Sequence, residues 1–168
     1  DSIATFVTQR FNTTVAKKTV VNAECYGDDL AAWLAAQLQA GGRRSATPVS
    51  EDFGWAVKFR VNGRYYWASI GYVPGREMWF VALECGGTLA RFFARFRRIP
   101  AAAVAAVRSV LEACPDLREL RWYSPRGFSE ALSKPPRPGR QHPLLIVTDR
   151  DTERHVRSTQ CNGRLWEI

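Results

Sequence analysis

The sequence lacks the residue patterns that usually hold a metal ion. Its two histidines, His142 and His155, stand alone, and its four cysteines include no Cys-x-x-Cys pair. Zinc sites need several histidine or cysteine ligands at short, regular spacings, so we expect neither a structural nor a catalytic metal. Because the cysteines are widely spaced, we expect free buried thiols rather than disulfides, as is usual for a cytosolic protein.

The common signatures of catalysis and cofactor binding are also missing. Neither GxGxxG nor GxxxxGK occurs, so no phosphate-binding glycine loop is indicated, and there is no GxSxG nucleophile motif. We therefore expect no cofactor. The longest apolar runs are far shorter than a membrane span, and no basic-then-apolar leader opens the chain. These features predict a cytoplasmic protein without a membrane partner.

Length and charge indicate one basic domain. At 168 residues it is predicted to form one domain, 1–168, large enough to bury a core. The net charge is +8, and residues 88–140 hold eleven Lys/Arg against four Asp/Glu, which is +7. This concentration of positive charge is compatible with an anionic partner. Within the domain, 134–142 is predicted to be a proline-rich loop and 149–168 a polar C-terminal tail.

Residues 51–84 carry the clearest structural signal, three strand-like runs separated by two turns. Asn62-Gly63 between alternating runs predicts a β-hairpin with a type I′ turn, because that turn needs positive φ at both central residues. In this register Trp55 pairs with Ile70. Pro74-Gly75 predicts a second, symmetric turn, which would pair Ile70 with Trp79.

The predicted register sorts the side chains of this meander onto two faces. One face is apolar and is predicted to be core; it carries Trp55, Val57, Phe59, Tyr66, Ile70, Trp79, Val81 and Leu83. The other mixes basic, aromatic and small polar residues: Lys58, Arg60, Tyr65, Trp67, Ser69 and Phe80.

The rest of the chain supplies helices and further strands. Apolar residues at helical spacing predict helices beginning at Gly27-Asp28-Asp29, over Leu89–Arg98 and over Ala101–Ala113. Strands are predicted over Ile3–Phe11, Leu117–Tyr123 and Leu144–Thr148, and a short helix over Gly127–Ser133. The predicted fold class is α+β: a twisted antiparallel sheet centred on 53–84, with helices packed mostly on one face.

The basic and aromatic residues form the first candidate site. Tyr65 and Trp67 share a face with Lys58 and Arg60, as in sheets on which nucleic-acid bases stack beside backbone-binding cations. Phosphate contacts are available from one helix face carrying Arg91, Arg95 and Arg98. The alternative is that helices cover both sheet faces, which would make Trp67 and Phe80 part of the core.

Acidic residues form the second candidate site. Glu51 and Asp52 begin the meander and Glu84 ends it, so these side chains are candidates to meet at one end of the sheet. Carboxylates in a cleft can act as general acid and base. Adjacent acids before a strand more often cap a turn or pair with arginine.

Two segments, GDDLAAWL (Gly27–Leu34) and EDFGW (Glu51–Trp55), resemble those of small uncharacterised bacterial accessory proteins. The resemblance covers roughly residues 26–84 and extends to proteins of mobile gene cassettes, including immunity-type proteins that bind one partner. It implies a non-catalytic bacterial protein that binds a macromolecule, with a protein as the expected partner. Nucleic-acid binding through 88–140 is the alternative, and an enzyme using the acidic residues is a further one.

Overall fold

The computed structural model describes residues 1–14, 26–86 and 99–134. They form a single α+β domain with one six-stranded antiparallel sheet in the order β2-β3-β4-β5-β1-β6. The strands are β1 (Ile3–Val7), β2 (Val49–Glu51), β3 (Gly54–Val61), β4 (Arg64–Val73), β5 (Met78–Cys85) and β6 (Arg118–Tyr123). The helices are α1 (Asp28–Ala40), α2 (Ala101–Glu112) and α3 (Pro125–Ser133). The predicted fold class is thereby confirmed.

The first hairpin has the predicted register. Trp55 pairs with Ile70, and the pairing continues without a break to Val61 and Arg64. Asn62 has a φ of 48° and Gly63 a φ of 78°, the two positive values that a type I′ turn requires. The Asn-Gly signal therefore fixed both the turn and the alignment of β3 with β4.

The predicted register of the second turn is wrong by two residues. Ile70 pairs with Val81, and Trp79 pairs with Tyr72. A 3₁₀ turn at Pro74–Arg76 lengthens the loop, and Glu77, not Gly75, takes the left-handed conformation with a φ of 50°. Because side chains alternate along a strand, a shift of two residues leaves each side chain on its predicted face.

One face of the sheet, the core face, packs against α1 and α2. The predicted core residues of the meander are buried there, except that Trp55 is only half-buried. Helix α1 adds Leu30, Leu34 and Leu38, and α2 adds Val107 and Leu111. These spacings are the helical stripes expected from the sequence, so the core forms where the two apolar patterns meet.

The N-terminal strand lies inside the sheet. Strand β1 pairs with β5 on one side and with β6 on the other, with a register shift between Thr5 and Val7. It is shorter than the predicted run to Phe11, which is buried but not in a strand. Strand β6, the counterpart of the strand predicted over Leu117–Tyr123, is an edge strand with exposed Arg118 and Arg121.

Helix α3 packs on the opposite face of the sheet, the outer face. It begins at Pro125, and the Ser124 hydroxyl caps it by accepting a hydrogen bond from Gly127 N. At its other end the Arg76 guanidinium donates to the carbonyls of Ala131 (3.1 Å), Leu132 (2.6 Å) and Lys134. A cation at a helix C-terminus donates hydrogen bonds to the carbonyls that have no partner within the helix, and it interacts favourably with the helix dipole.

Several predicted elements lie outside the described residues. These are the helix over 89–98, the strand over 144–148, most of the proline-rich loop over 134–142 and the tail over 149–168. Among the helices of the described ranges, none is long and apolar enough to cross a membrane.

Candidate binding site

The outer face of the sheet is divided into a covered half and an open half. Phe128 of α3 packs on Phe80, with ring centroids 5.7 Å apart, and on Tyr123 at 6.4 Å. Phe80 is thus covered, whereas Tyr65 on the neighbouring part of the face keeps 48% of its surface exposed. On β3 and β4 the coverage is incomplete: Tyr65 is exposed and Trp67 is half-buried, whereas Ser69 is buried. We call this β3-β4 part the open half.

The open half brings four predicted site residues together. Lys58 lies directly across from Trp67, and Arg60 directly across from Tyr65, on the paired strands β3 and β4. We refer to Lys58, Arg60, Tyr65 and Trp67 as the basic-aromatic patch. Their common face follows from the odd-even alternation set by the Asn-Gly turn.

Both cations of the patch lie over aromatic rings. Lys58 Nζ is 4.5 Å from the Tyr65 ring centroid and 5.7 Å from that of Trp67. Arg60 Cζ is 5.4 Å from the Tyr65 centroid. A cation over a ring face is attracted by the ring quadrupole, with about 0.5–1 kcal/mol at exposed sites. The rings therefore favour these positions for two long, flexible side chains.

Arg60 is also held by a backbone hydrogen bond. Within the described ranges, its buried Nε has no hydrogen-bond partner, and its guanidinium lies over the Tyr65 ring. The Arg60 backbone N–H donates to the carbonyl of Arg44 at 2.8 Å. Both the backbone and the side chain of Arg60 are thus fixed at the edge of the patch.

Arg44 is a neighbour of the patch that the sequence did not reveal. Residues 44–46 run beside β3, with Ala46 N donating to the Lys58 carbonyl and an isolated bridge between Ser45 and Phe59. This places the exposed Arg44 next to Arg60. The sequence of 43–48 carries no strand pattern and includes a proline, so no sequence signal indicated this pairing.

Glu84 borders the patch on its other side. It pairs with Trp67 across β4 and β5, and its Oε1 accepts a hydrogen bond of 2.9 Å from the Ser69 hydroxyl. With Arg44, Lys58 and Arg60 on one side and Glu84 on the other, this half of the face keeps a positive excess. Glu84 marks where the positive surface ends.

The predicted meeting of acidic residues at one end of the sheet is wrong. Glu51 pairs with Gly54 at the start of β3, whereas Glu84 lies near the end of β5, beside the Asn-Gly end of the first hairpin. Successive antiparallel strands reverse direction, so a three-stranded meander begins at one end of the strands and finishes at the other. Glu51 and Asp52 therefore lie at the opposite end of the sheet from Glu84. No group of three His, Cys, Asp or Glu side chains forms a metal cluster within the described ranges.

In the described part of the basic segment, residues 88–140, the arginines do not form one common surface. Arg108 of α2 stacks on Trp122 at 4.7 Å, and Arg126 forms a 2.9 Å ion pair with Glu130. Arg118 and Arg121 lie on the β6 edge, away from the patch. The candidate phosphate contacts Arg91, Arg95 and Arg98 lie outside the described residues.

One tyrosine on the core face has a perturbed pKa. Burial raises the pKa of Tyr72 above its usual 10.0, and the nearby Glu77 carboxylate raises it further, while a hydrogen bond with Thr13 opposes the shift. Tyr72 packs on Trp79 with ring centroids 4.8 Å apart. This tyrosine belongs to the aromatic packing of the core and lies on the opposite face of the sheet from the patch.

Comparison with protein-family models, with curated proteins and with solved structures finds no significant match to this chain.

Proposed function

We propose that this protein is a non-catalytic binding protein of the bacterial cytosol, and that it recognises a protein partner through the basic-aromatic patch. The proposal rests on the open half of the outer face, where Tyr65 is 48% exposed beside two cations that lie over its ring. The resemblance of the 26–84 segment to immunity-type proteins points to the same class of function.

The composition of the patch supports a protein partner. Energetically dominant positions of protein interfaces are enriched in tryptophan, tyrosine and arginine, and Trp67, Tyr65 and Arg60 adjoin one another here. A side chain that is already fixed loses less conformational entropy when a partner binds. The cation–ring contacts therefore reduce the free-energy cost of association at this surface.

Capture experiments test this function. Wild-type protein is immobilised and exposed to lysate of the source cell, with and without nuclease, beside the double variant Lys58→Gln/Tyr65→Leu. We expect a nuclease-resistant protein that the wild type retains and the variant loses. The captured protein is then purified, and its affinity for both forms is measured by calorimetry.

The matched control is Arg118→Gln/Arg121→Gln, which removes two exposed cations from the opposite edge of the sheet. It should bind the purified partner as the wild type does. Equal affinity of the wild type and the patch variant for every captured protein would refute the proposed site.

A further inference from the structure

From the charge and geometry of the basic-aromatic patch we infer that it binds an acidic segment of the partner, with carboxylate groups seated on Lys58 and Arg60. The inference rests on the proposed function and specifies the chemistry of the partner. It concerns a surface of two strands, β3 and β4, with the exposed Arg44 at its border.

The charge of the patch favours a negatively charged partner. Lys58, Arg60 and the adjoining Arg44 carry three positive charges, against the one negative charge of Glu84 at the far border, which accepts a hydrogen bond from the Ser69 hydroxyl. Positive surfaces select negative partners and repel positive ones. A guanidinium and an ammonium beside one another offer several hydrogen-bond donors, which carboxylates accept with short, charge-assisted hydrogen bonds.

The position of the cations over the rings leaves their hydrogen-bond donors available. A cation–ring contact involves the charge but uses no hydrogen bond, so Lys58 can stay over Tyr65 and Trp67 while its ammonium donates to a carboxylate. Arg60 can do the same through its terminal nitrogens. A carboxylate thus binds without disturbing the patch.

The same geometry reduces the gain from stacking nucleic-acid bases. Single-stranded nucleic acid is bound largely by stacking of bases on aromatic ring faces. Here Lys58 and Arg60 occupy ring faces of Tyr65 and Trp67. A base would have to displace those cations before it could stack there.

Three labelled probes test the inference by fluorescence anisotropy. They are a peptide of alternating Glu and Ser, the same peptide with Gln in place of Glu, and an oligothymidylate, each about ten units long so that it can cross both strands. We expect the Glu peptide to bind and the Gln peptide not to bind. The affinity for the Glu peptide should fall as salt rises from about 50 to 200 mM, because exposed charges are screened.

Variants then assign the binding to the patch. Lys58→Gln/Arg60→Gln should weaken binding of the Glu peptide about tenfold or more, whereas Arg118→Gln/Arg121→Gln, with the same change in charge, should leave it within about twofold. Tyr65 acts as a positioning residue: Tyr65→Leu should weaken binding severalfold, and Tyr65→Phe, which keeps the ring, should restore it. Circular dichroism checks that each variant is folded.

The outcomes separate this inference from the proposed function. Oligothymidylate binding that depends on Lys58 and Arg60, without binding of the Glu peptide, would overturn the inference in favour of nucleic acid. Glu-peptide binding that is absent, or equally weakened by both charge-pair variants, would overturn it as well. If the captured partner nevertheless requires the patch, the proposed function stands and only the acidic chemistry of the partner is refuted.

Discussion

Replacing Gly54 with alanine should be one of the most damaging single-methyl changes in the sheet. Gly54 opens β3 with a φ of 147°, a conformation that residues with a side chain rarely adopt. A Cβ there would lie 2.2 Å from the backbone carbonyl oxygen of Ile70. A backbone atom on the adjacent strand cannot turn aside as the end of a side chain can, so β3 must move away from β4.

The size of the effect follows from two costs. Forcing a residue with a Cβ into a disfavoured backbone conformation costs about 1–3 kcal/mol, and losing one strand-pairing hydrogen bond costs about 0.5–1.5 kcal/mol. We therefore expect Gly54→Ala to lower the free energy of unfolding by about 2–4 kcal/mol. Urea denaturation followed by circular dichroism measures this free energy. An unchanged m-value shows that the variant and the wild type unfold in the same transition.

Substitutions at two other glycines separate the cost of the backbone conformation from the cost of the close contact. Gly42 has a φ of 75° but open space around it, so Gly42→Ala should cost only about 1–2 kcal/mol from the backbone alone. Gly75 has neither a positive φ nor a close neighbour, so Gly75→Ala should be neutral or stabilising by about 0.4–1 kcal/mol. If Gly54→Ala proved as harmless as Gly75→Ala, the close approach of β3 to β4 would be refuted.

Three further predictions concern other parts of the molecule. Arg76→Met should lower the free energy of unfolding by about 1–2 kcal/mol in urea, because the carbonyls at the end of α3 lose a charged donor; an unchanged midpoint would contradict the contact. Because the folded state raises the pKa of Tyr72, the stability of the wild type should fall as pH rises past 10.0, and Tyr72→Phe should reduce that fall; identical pH profiles would refute the assignment. A thiol dye should label all four cysteines of denatured, unreduced protein, and the loss of two thiols would instead reveal a disulfide.

The sequence determined local pairing better than global arrangement. The register of β3 and β4 followed from Asn62-Gly63 because a two-residue loop permits one alignment. Pro74-Gly75 did not fix the next register, because proline begins turns of several lengths and the left-handed residue proved to be Glu77. The faces were still right, since the error was an even number of residues.

The position of β1 between β5 and β6 could not be predicted. Its partners β5 and β6 lie more than seventy residues away in the chain, and apolar alternation identifies a strand without identifying its neighbours. The same limit explains the acidic residues: Glu51 and Glu84 bracket the meander in sequence, yet three consecutive strands place them at opposite ends.

The members of the candidate site were predictable, but their interactions were not. Alternation placed Lys58, Arg60, Tyr65 and Trp67 on one face, and the structure confirms that placement. That the cations cover the rings depends on side-chain conformation, which a strand pattern does not specify. Arg44 joins the patch through a bridge formed by an irregular segment, for which no periodic signal exists.

The most direct test of the proposed binding surface is a two-dimensional NMR titration of isotope-labelled protein with its purified captured partner. We expect the largest chemical-shift changes on the amides around Lys58 to Arg60 and Tyr65 to Trp67, and on the Trp67 indole. The amides of α1 and α2, behind the core face, should change little. Shifts concentrated on those helices, with the patch unaffected, would contradict the claim that the protein recognises its partner through the open half of the outer face.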